Sequence, residues 1–512
     1  MQNVFLKFFT FILKLVDTID YIIFIFYVGL TIFLGLSFIK KNKDPFAFIF
    51  GKKQIPEWVI TLSIIATYIS SISFIALPAS AYSTNWNAFV FSLSIPITAI
   101  IAKYIFVPLY RNLNITSAYT FLEHRFGFWA RLYTAFFFLM TQLMRSGTIL
   151  YLIAIVFNTI FNWPISFIII FTGLIVLIYS LFGGIQAVVW TDALQAIILI
   201  IGAIITPFMI LISIPGGLSN FINTSIQYNK FSLGSFHLSF NDSTFWVVLI
   251  YGIFINLQNF GIDQNYIQRY LAASDDKAAS RSAFNGSMLY IPISFFFFVI
   301  GSTLFVYYHN FSEKLPSNIK SDFIFPYFIA NEMPHGLIGL LTAAIFAAGM
   351  STLSTSFNSG ATVLYTDFFK RLSKTKFDYK NSMKLLYLGS SIIGIGGILI
   401  ALAMINVKNV LDTWWKLASI FSGGMLGLFL LAAFIKNANK KIAVISTILG
   451  LITLFILSTK ELFFKSLIIN IHPYIIIVVG TLVIFLTGTI LSFFILLKRK
   501  KFINMKSINK KK

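Results

Sequence analysis

The feature that most limits how this chain can fold is a series of apolar segments, each long enough to cross a bilayer and separated by short polar stretches. Thirteen are found, at about 19–39, 58–82, 86–110, 130–160, 164–183, 189–214, 243–265, 282–308, 336–369, 383–405, 409–434, 440–458 and 474–497. Inside lipid a backbone satisfies its N–H and C=O groups only in helices or closed barrels, and segments of about 20 residues fit helices. The expected fold class is therefore an all-α polytopic membrane protein. Composition agrees: 58% of the 512 residues are hydrophobic and only 11% are charged, too apolar for a soluble globular protein.

A net charge of +22 points first towards nucleic acid, but its distribution removes that reading. The basic residues lie in short runs between apolar spans, as in cytoplasmic loops. With the loop after the first span inside, the inner stretches 40–57, 103–131, 263–281, 370–384, 436–441 and 498–512 hold 29 of the 39 basic residues. This charge bias predicts a multi-pass protein of a cell membrane with its N-terminus outside and its C-terminus in the cytoplasm. The tail KRKKFINMKSINKKK then reads as a topology anchor, and the lead Met1 to Asp17 has no small-residue cleavage site. The chain has no cysteine, which excludes disulfides and thiolate metal sites. Its five histidines are scattered without metal-ligand spacing, so nothing supports an enzyme.

Three stretches carry polar chemistry into the spans. In AAGMSTLSTSFNS, Ala347 to Ser359, six hydroxyl side chains interrupt an apolar run, and Ser351, Thr355 and Asn358 stand at i, i+4 and i+7 on one helical stripe. One or two hydroxyls would serve helix packing; six suit a monovalent hard cation, which binds neutral oxygens and must also leave. In the second span, ATYISSIS sits mid-membrane with Pro78 beyond. It fits either a Pro-kinked helix or a broken helix whose freed carbonyls, around Ala66 to Ser73, bind something. The fourth span contains Arg145 in TQLMRSGTILY, half-way across. Its guanidinium matches a carboxylate, of the substrate or of a buried side chain.

GGIQAVVWTDALQ, GIDQNYIQRYLAASD and AAGMSTLSTSFNSGATVLYTDF, preceded by ISSISFIALPASAY, complete the motifs. In this order they resemble the sodium:solute symporter family, which includes the sodium/glucose, proline, iodide, multivitamin and sialic-acid symporters. The resemblance runs from about residue 20 to 435. It implies a core of two inverted five-helix repeats, of the amino-acid/sodium symporter type, with substrate near the midplane. On that basis 1–57 is a lead with the first span and a basic loop, 58–214 the first repeat, 215–435 an extracellular loop and the second repeat, and 436–512 two peripheral spans and the tail.

The resemblance also implies site residues. The family's sodium site would use backbone oxygens of Ala66, Ile69 and Ala348 with the hydroxyls of Ser351 and Thr352. Asp192, Ser354 and Thr355 stand where the sialic-acid branch holds an additional ion. Thr67, Ser70, Ser73 and Arg145 are the substrate candidates, and Asp263, Gln264 and Tyr266 the gate candidates. Tyr68, Ala88 and Ser92 depart from the sialic-acid branch, and LPASAY looks like the iodide and multivitamin branch. The expected function is sodium-coupled import of a small organic solute, with a carboxylate as the candidate and a neutral sugar as the alternative. Na⁺ is the coupling ion, the bilayer and the small solute are the partners, and no protein or nucleic-acid partner is inferred. A transporter-derived sensor is the rival class, and no signalling segment in the sequence supports it.

Overall fold

The computed structural model describes residues 17–42, 44–113, 115–373, 378–406, 424–463 and 471–509. The first span is α1 (Thr18–Leu36). The second is a bent pair, α2 (Glu57–Tyr68) and α3 (Ser71–Ser83), at 57° to each other. There follow α4 (Trp86–Asn112), α5 (Phe128–Phe161) and α6 (Ile165–Ser213). The next spans are α7 (Phe245–Ile262), continued by α8 (Gln264–Ala272), and α9 (Asp276–Asn310). The rest are α10 (Leu337–Val363), α11 (Tyr379–Ala403), α12 (Gly424–Phe434), α13 (Lys440–Phe463) and α14 (Pro473–Asn509). Of the thirteen expected spans, 409–434 lies outside the described residues except for α12.

Two expected spans, 164–183 and 189–214, run together in α6. At 1.5 Å per residue its 49 residues would reach about 74 Å, more than twice a hydrocarbon core of about 30 Å. The helix is broken at Gly184, whose φ of 59° and ψ of −160° are not helical. Glycine suits this point twice over: an L side chain is strained at positive φ, and a Cβ there would lie 2.7 Å from Asn42 Oδ1. Asn42 in turn donates to the Phe182 carbonyl freed by the break (2.9 Å). One hydrogen-bonded corner thus turns the chain back into the membrane.

The second span breaks because Ile69 and Ser70 take extended backbone conformations, with ψ of 116° and 173°. The seventh breaks in the same manner at Asp263, ψ 124°, which caps α8 by accepting from the Asn265 N–H (2.8 Å). The breaks are five spans apart in helices running in opposite directions, as an inverted five-helix repeat requires. Both face α10, in which only Leu337 and Leu340 are not buried. Six hydroxyls are tolerated in α10 because it has almost no lipid face. Outside this core, buried Asp20 of α1 accepts from the N–H groups of Gly336 (2.7 Å) and Gly339 (2.8 Å), so a first-span carboxylate caps the start of α10.

Candidate functional site

The polar stripe of α10 finds a partner at each turn, and each partner belongs to a broken span. Ser351 Oγ donates to the Ala66 carbonyl of α2 (2.8 Å) and lies 3.1 Å from the Ala348 carbonyl. Thr352 Oγ1 donates to the same Ala348 carbonyl (3.1 Å). One turn on, Thr355 Oγ1 accepts from Arg269 of α8 (2.6 Å) and approaches Thr67 Oγ1 (3.4 Å). A further turn on, Asn358 Oδ1 accepts from Gln268 (2.8 Å). Ile69 caps the end of α2 and Ala66 lies in its last turn, so the break leaves the Ala66 carbonyl to accept from Ser351. Neutral oxygens therefore converge between α2 and α10, the donor chemistry that a transiently held Na⁺ needs.

Asp192 is fully buried at the level of Thr355 and Ser63. Its Oδ2 accepts from Ser63 (2.6 Å) and from Arg269 Nη2 (2.5 Å), which also donates to Thr355; Arg269 Nε donates to Ser63 (2.7 Å). Ser354 stands close to this carboxylate and donates to the Ser351 carbonyl (3.1 Å). The sequence reading has Asp192, Ser354 and Thr355 together, and the structure adds two residues that it left out, Ser63 and Arg269. A signal for Arg269 was present, since QNYIQRYLAASD offers a cation with no carboxylate on its own helical face.

Across the break from the hydroxyls lies the group around Arg145. Arg145 Nη2 donates to the Thr67 carbonyl (3.3 Å), and Tyr266 and Asp263 are close to its charge. Tyr68 donates to Asn256, stacks on Phe260 (centroids 5.2 Å apart) and meets Tyr290 edge-on (4.4 Å). Ser73 and Ser92 approach Tyr290, and Ser92 shares a hydrogen bond with Ser294 (2.7 Å). Ser70 opens α3 without a side-chain cap. Tyr68, Ser73, Arg145 and Asp263 are only partly buried, although they lie between helices. The remaining gate candidate, Gln264, pins α8 to the stretch between α4 and α5 by accepting from the Ala118 N–H (2.9 Å). Asn256, which anchors Tyr68, was not singled out, because its partner is 188 residues away.

The sodium:solute symporter family profile matches residues 48–450. The chain belongs to the sodium:solute symporter family. It is 34% identical over 438 residues to a sodium/sialic acid symporter of Proteus mirabilis, covering 85% of this chain and 88% of that one. It is 31% identical to a sodium/sialic acid symporter of Aliivibrio fischeri, with 92% of each chain covered. The solved structure of a substrate-bound, outward-open Na⁺-coupled sialic acid symporter superposes with a TM-score of 0.88 at 32% identity, over 93% of this chain and 97% of that one. As a member of this family the chain is a multi-pass membrane symporter that couples a solute to Na⁺, and not an enzyme.

Proposed function

We propose that this symporter imports a carboxylate-bearing organic solute, with Arg145 as the anchor of the carboxylate. The observation that carries the reading is how Arg145 differs from the two buried arginines. Arg131 pairs with Asp367 (2.5 Å) and Glu123 (2.6 Å), and Arg269 with Asp192 (2.5 Å). Arg145, among the described residues, has no ion pair, and its hydrogen bond to the Thr67 carbonyl is long. A guanidinium between helices with no carboxylate in ion-pair contact, Asp263 acting on it only from further off, favours an anion brought by the substrate. Thr67, Ser70 and Ser73 then offer polar groups at the break for the rest of the solute.

The coupling ion binds at the neutral oxygens of Ala66, Ile69, Ala348, Ser351 and Thr352, and a second sodium at Asp192, Ser354 and Thr355. Each Na⁺ charge moving inward contributes about 2.3 kcal/mol per 100 mV of membrane potential, in addition to its concentration gradient. Asp263, Gln264 and Tyr266 form the inner gate, because they sit at the break of the seventh span. The two repeats, 58–214 and 215–435, rock about the breaks, while 1–57 and 436–512 flank them. The relatives' named substrate, sialic acid, is a carboxylate; Tyr68, Ala88 and Ser92 are the positions at which this chain's selectivity would diverge.

The test is a stabilisation screen of the purified protein across carboxylates, sugars and amino acids, in NaCl and in choline chloride, with sialic acid included. The best ligand is expected to be a carboxylate that stabilises only with Na⁺, and Arg145→Lys, which loses the bidentate fork, to weaken it by about tenfold or more. A neutral best ligand that Arg145→Ala still binds normally would overturn the reading.

A further inference from the structure

Two of the oxygens at the second sodium site, with the Ser63 hydroxyl beside them, are already held by a cation of the protein's own. Arg269 Nη2 donates to both Asp192 Oδ2 (2.5 Å) and Thr355 Oγ1 (2.6 Å). Its Nε donates to Ser63 Oγ (2.7 Å), which passes a hydrogen bond on to Asp192 Oδ2 (2.6 Å). The third nitrogen, Nη1, returns to the Asn265 carbonyl of its own helix (2.6 Å). The guanidinium is 1% exposed and the carboxylate 0%, so bulk water screens neither. Asp192 Oδ1, by contrast, is buried without a hydrogen-bond partner, which leaves half of this carboxylate uncommitted.

We propose that the Arg269 guanidinium is a tethered cation that alternates with Na⁺ at Asp192 and Thr355. This rests on the reading of Asp192, Ser354 and Thr355 as a sodium site. One carboxylate in a low-dielectric interior neutralises one positive charge, and a second cation beside Arg269 would meet strong repulsion. Na⁺ therefore binds fully only when Arg269 leaves, moving to Oδ1 and the hydroxyls of Ser354 and Thr355. When Na⁺ departs, the arginine returns, and Asp192 is never left buried as a bare charge while the empty carrier resets.

Placement supports the exchange. Arg269 is on α8, the inner half of the broken seventh span, and its partners are on α2, α6 and α10. Seated, it ties the inner halves of both broken spans to the same carboxylate, and every residue of α8 is buried. Any displacement of α8 that opens the cytoplasmic side draws the guanidinium from Asp192. Occupancy of the site and position of the inner gate are then one equilibrium.

The experiment uses the full-length protein in detergent, with Na⁺ alone as the probe and thermal stabilisation by NaCl against choline chloride as the readout. Arg269→Gln is expected to lower the half-stabilising Na⁺ concentration by about tenfold, because the competing charge is gone. In that background, adding Thr355→Ala should raise it again, since Na⁺ now uses the oxygen that the arginine held. Arg269→Lys, which keeps the charge but loses the fork, guards against misfolding of the glutamine variant and should lower the midpoint by a smaller factor, about threefold. Folded Arg269 variants with an unchanged or raised midpoint overturn the exchange. A midpoint that falls in Arg269→Gln but ignores Thr355→Ala also overturns it, because the ion then sits beside the arginine and does not replace it. If the native chain shows no stabilisation by Na⁺ at all, it is the sodium-site reading that fails.

Discussion

At the scale of single residues, the stripe of α10 shows how little chemistry the proposed sodium site needs. Ser351 and Thr352 are fully buried, and their hydroxyls donate to the carbonyls of Ala66 and Ala348. In the proposed site the same four oxygens would turn their lone pairs to the ion. Removing either hydroxyl leaves an ion short of a ligand where water has little room to replace it. Ser351→Ala or Thr352→Ala is therefore expected to raise the Na⁺ concentration for half-maximal uptake by about three- to tenfold, in line with the net worth of one hydrogen-bonding group. Uptake by the native protein that is as fast in choline as in sodium medium would contradict the site. The spacing of Ser351, Thr355 and Asn358 was legible without a structure, because helical periodicity is local. The partner of Thr355 was not, because Arg269 approaches from another span.

At the scale of elements, function depends on where helices stop. Ile69 and Asp263 interrupt the second and seventh spans, and each break frees backbone groups that the hydrocarbon would not tolerate if they faced lipid. Pro78, the conspicuous helix breaker in the sequence, lies inside α3, nine residues past the break at Ile69. The unwinding follows instead from the contacts made by the freed groups: Ala66 with Ser351, and Thr67 with Arg145. Gly184 is a different kind of stop, a corner between two crossings. Gly184→Ala puts a Cβ at positive φ against Asn42 and should cost about 1–3 kcal/mol. A lowered melting temperature of the purified variant, with Na⁺ binding kept once folded, is the expected result; an unshifted melting temperature contradicts the strain argument.

At the scale of the whole molecule, charge sets orientation and burial sets the division of labour. α10 is enclosed by α1, α2, α5, α6 and α11, whereas α13 and α14 pack chiefly on each other and leave long apolar faces towards lipid. The chemistry is accordingly confined to the enclosed helices. The 29 of 39 basic residues on one side of the membrane predict a cytoplasmic C-terminus. A reporter that is active only in the cytoplasm, fused after Lys512, should give signal, and a silent fusion that is nevertheless present in the membrane would reverse the topology.

The all-helical membrane fold, the position of most spans and the residues at which polar groups enter lipid were legible in the amino-acid order alone. Those properties are local: hydropathy is a property of a segment, and the i, i+4, i+7 stripe is a property of one helix. The amino-acid order also brought Ala66, Ser351 and Thr352 into one site, but through motifs shared with a family and not through any calculable contact. Which buried charges satisfy one another depends on how the helices pack. Arg131 takes Asp367 and Glu123, Arg269 takes Asp192, and Arg145 is left at the break with a carbonyl. Ion pairing between residues 77 or 236 positions apart leaves no periodic trace in a sequence, because it is fixed by which helices the rest of the apolar surface brings together.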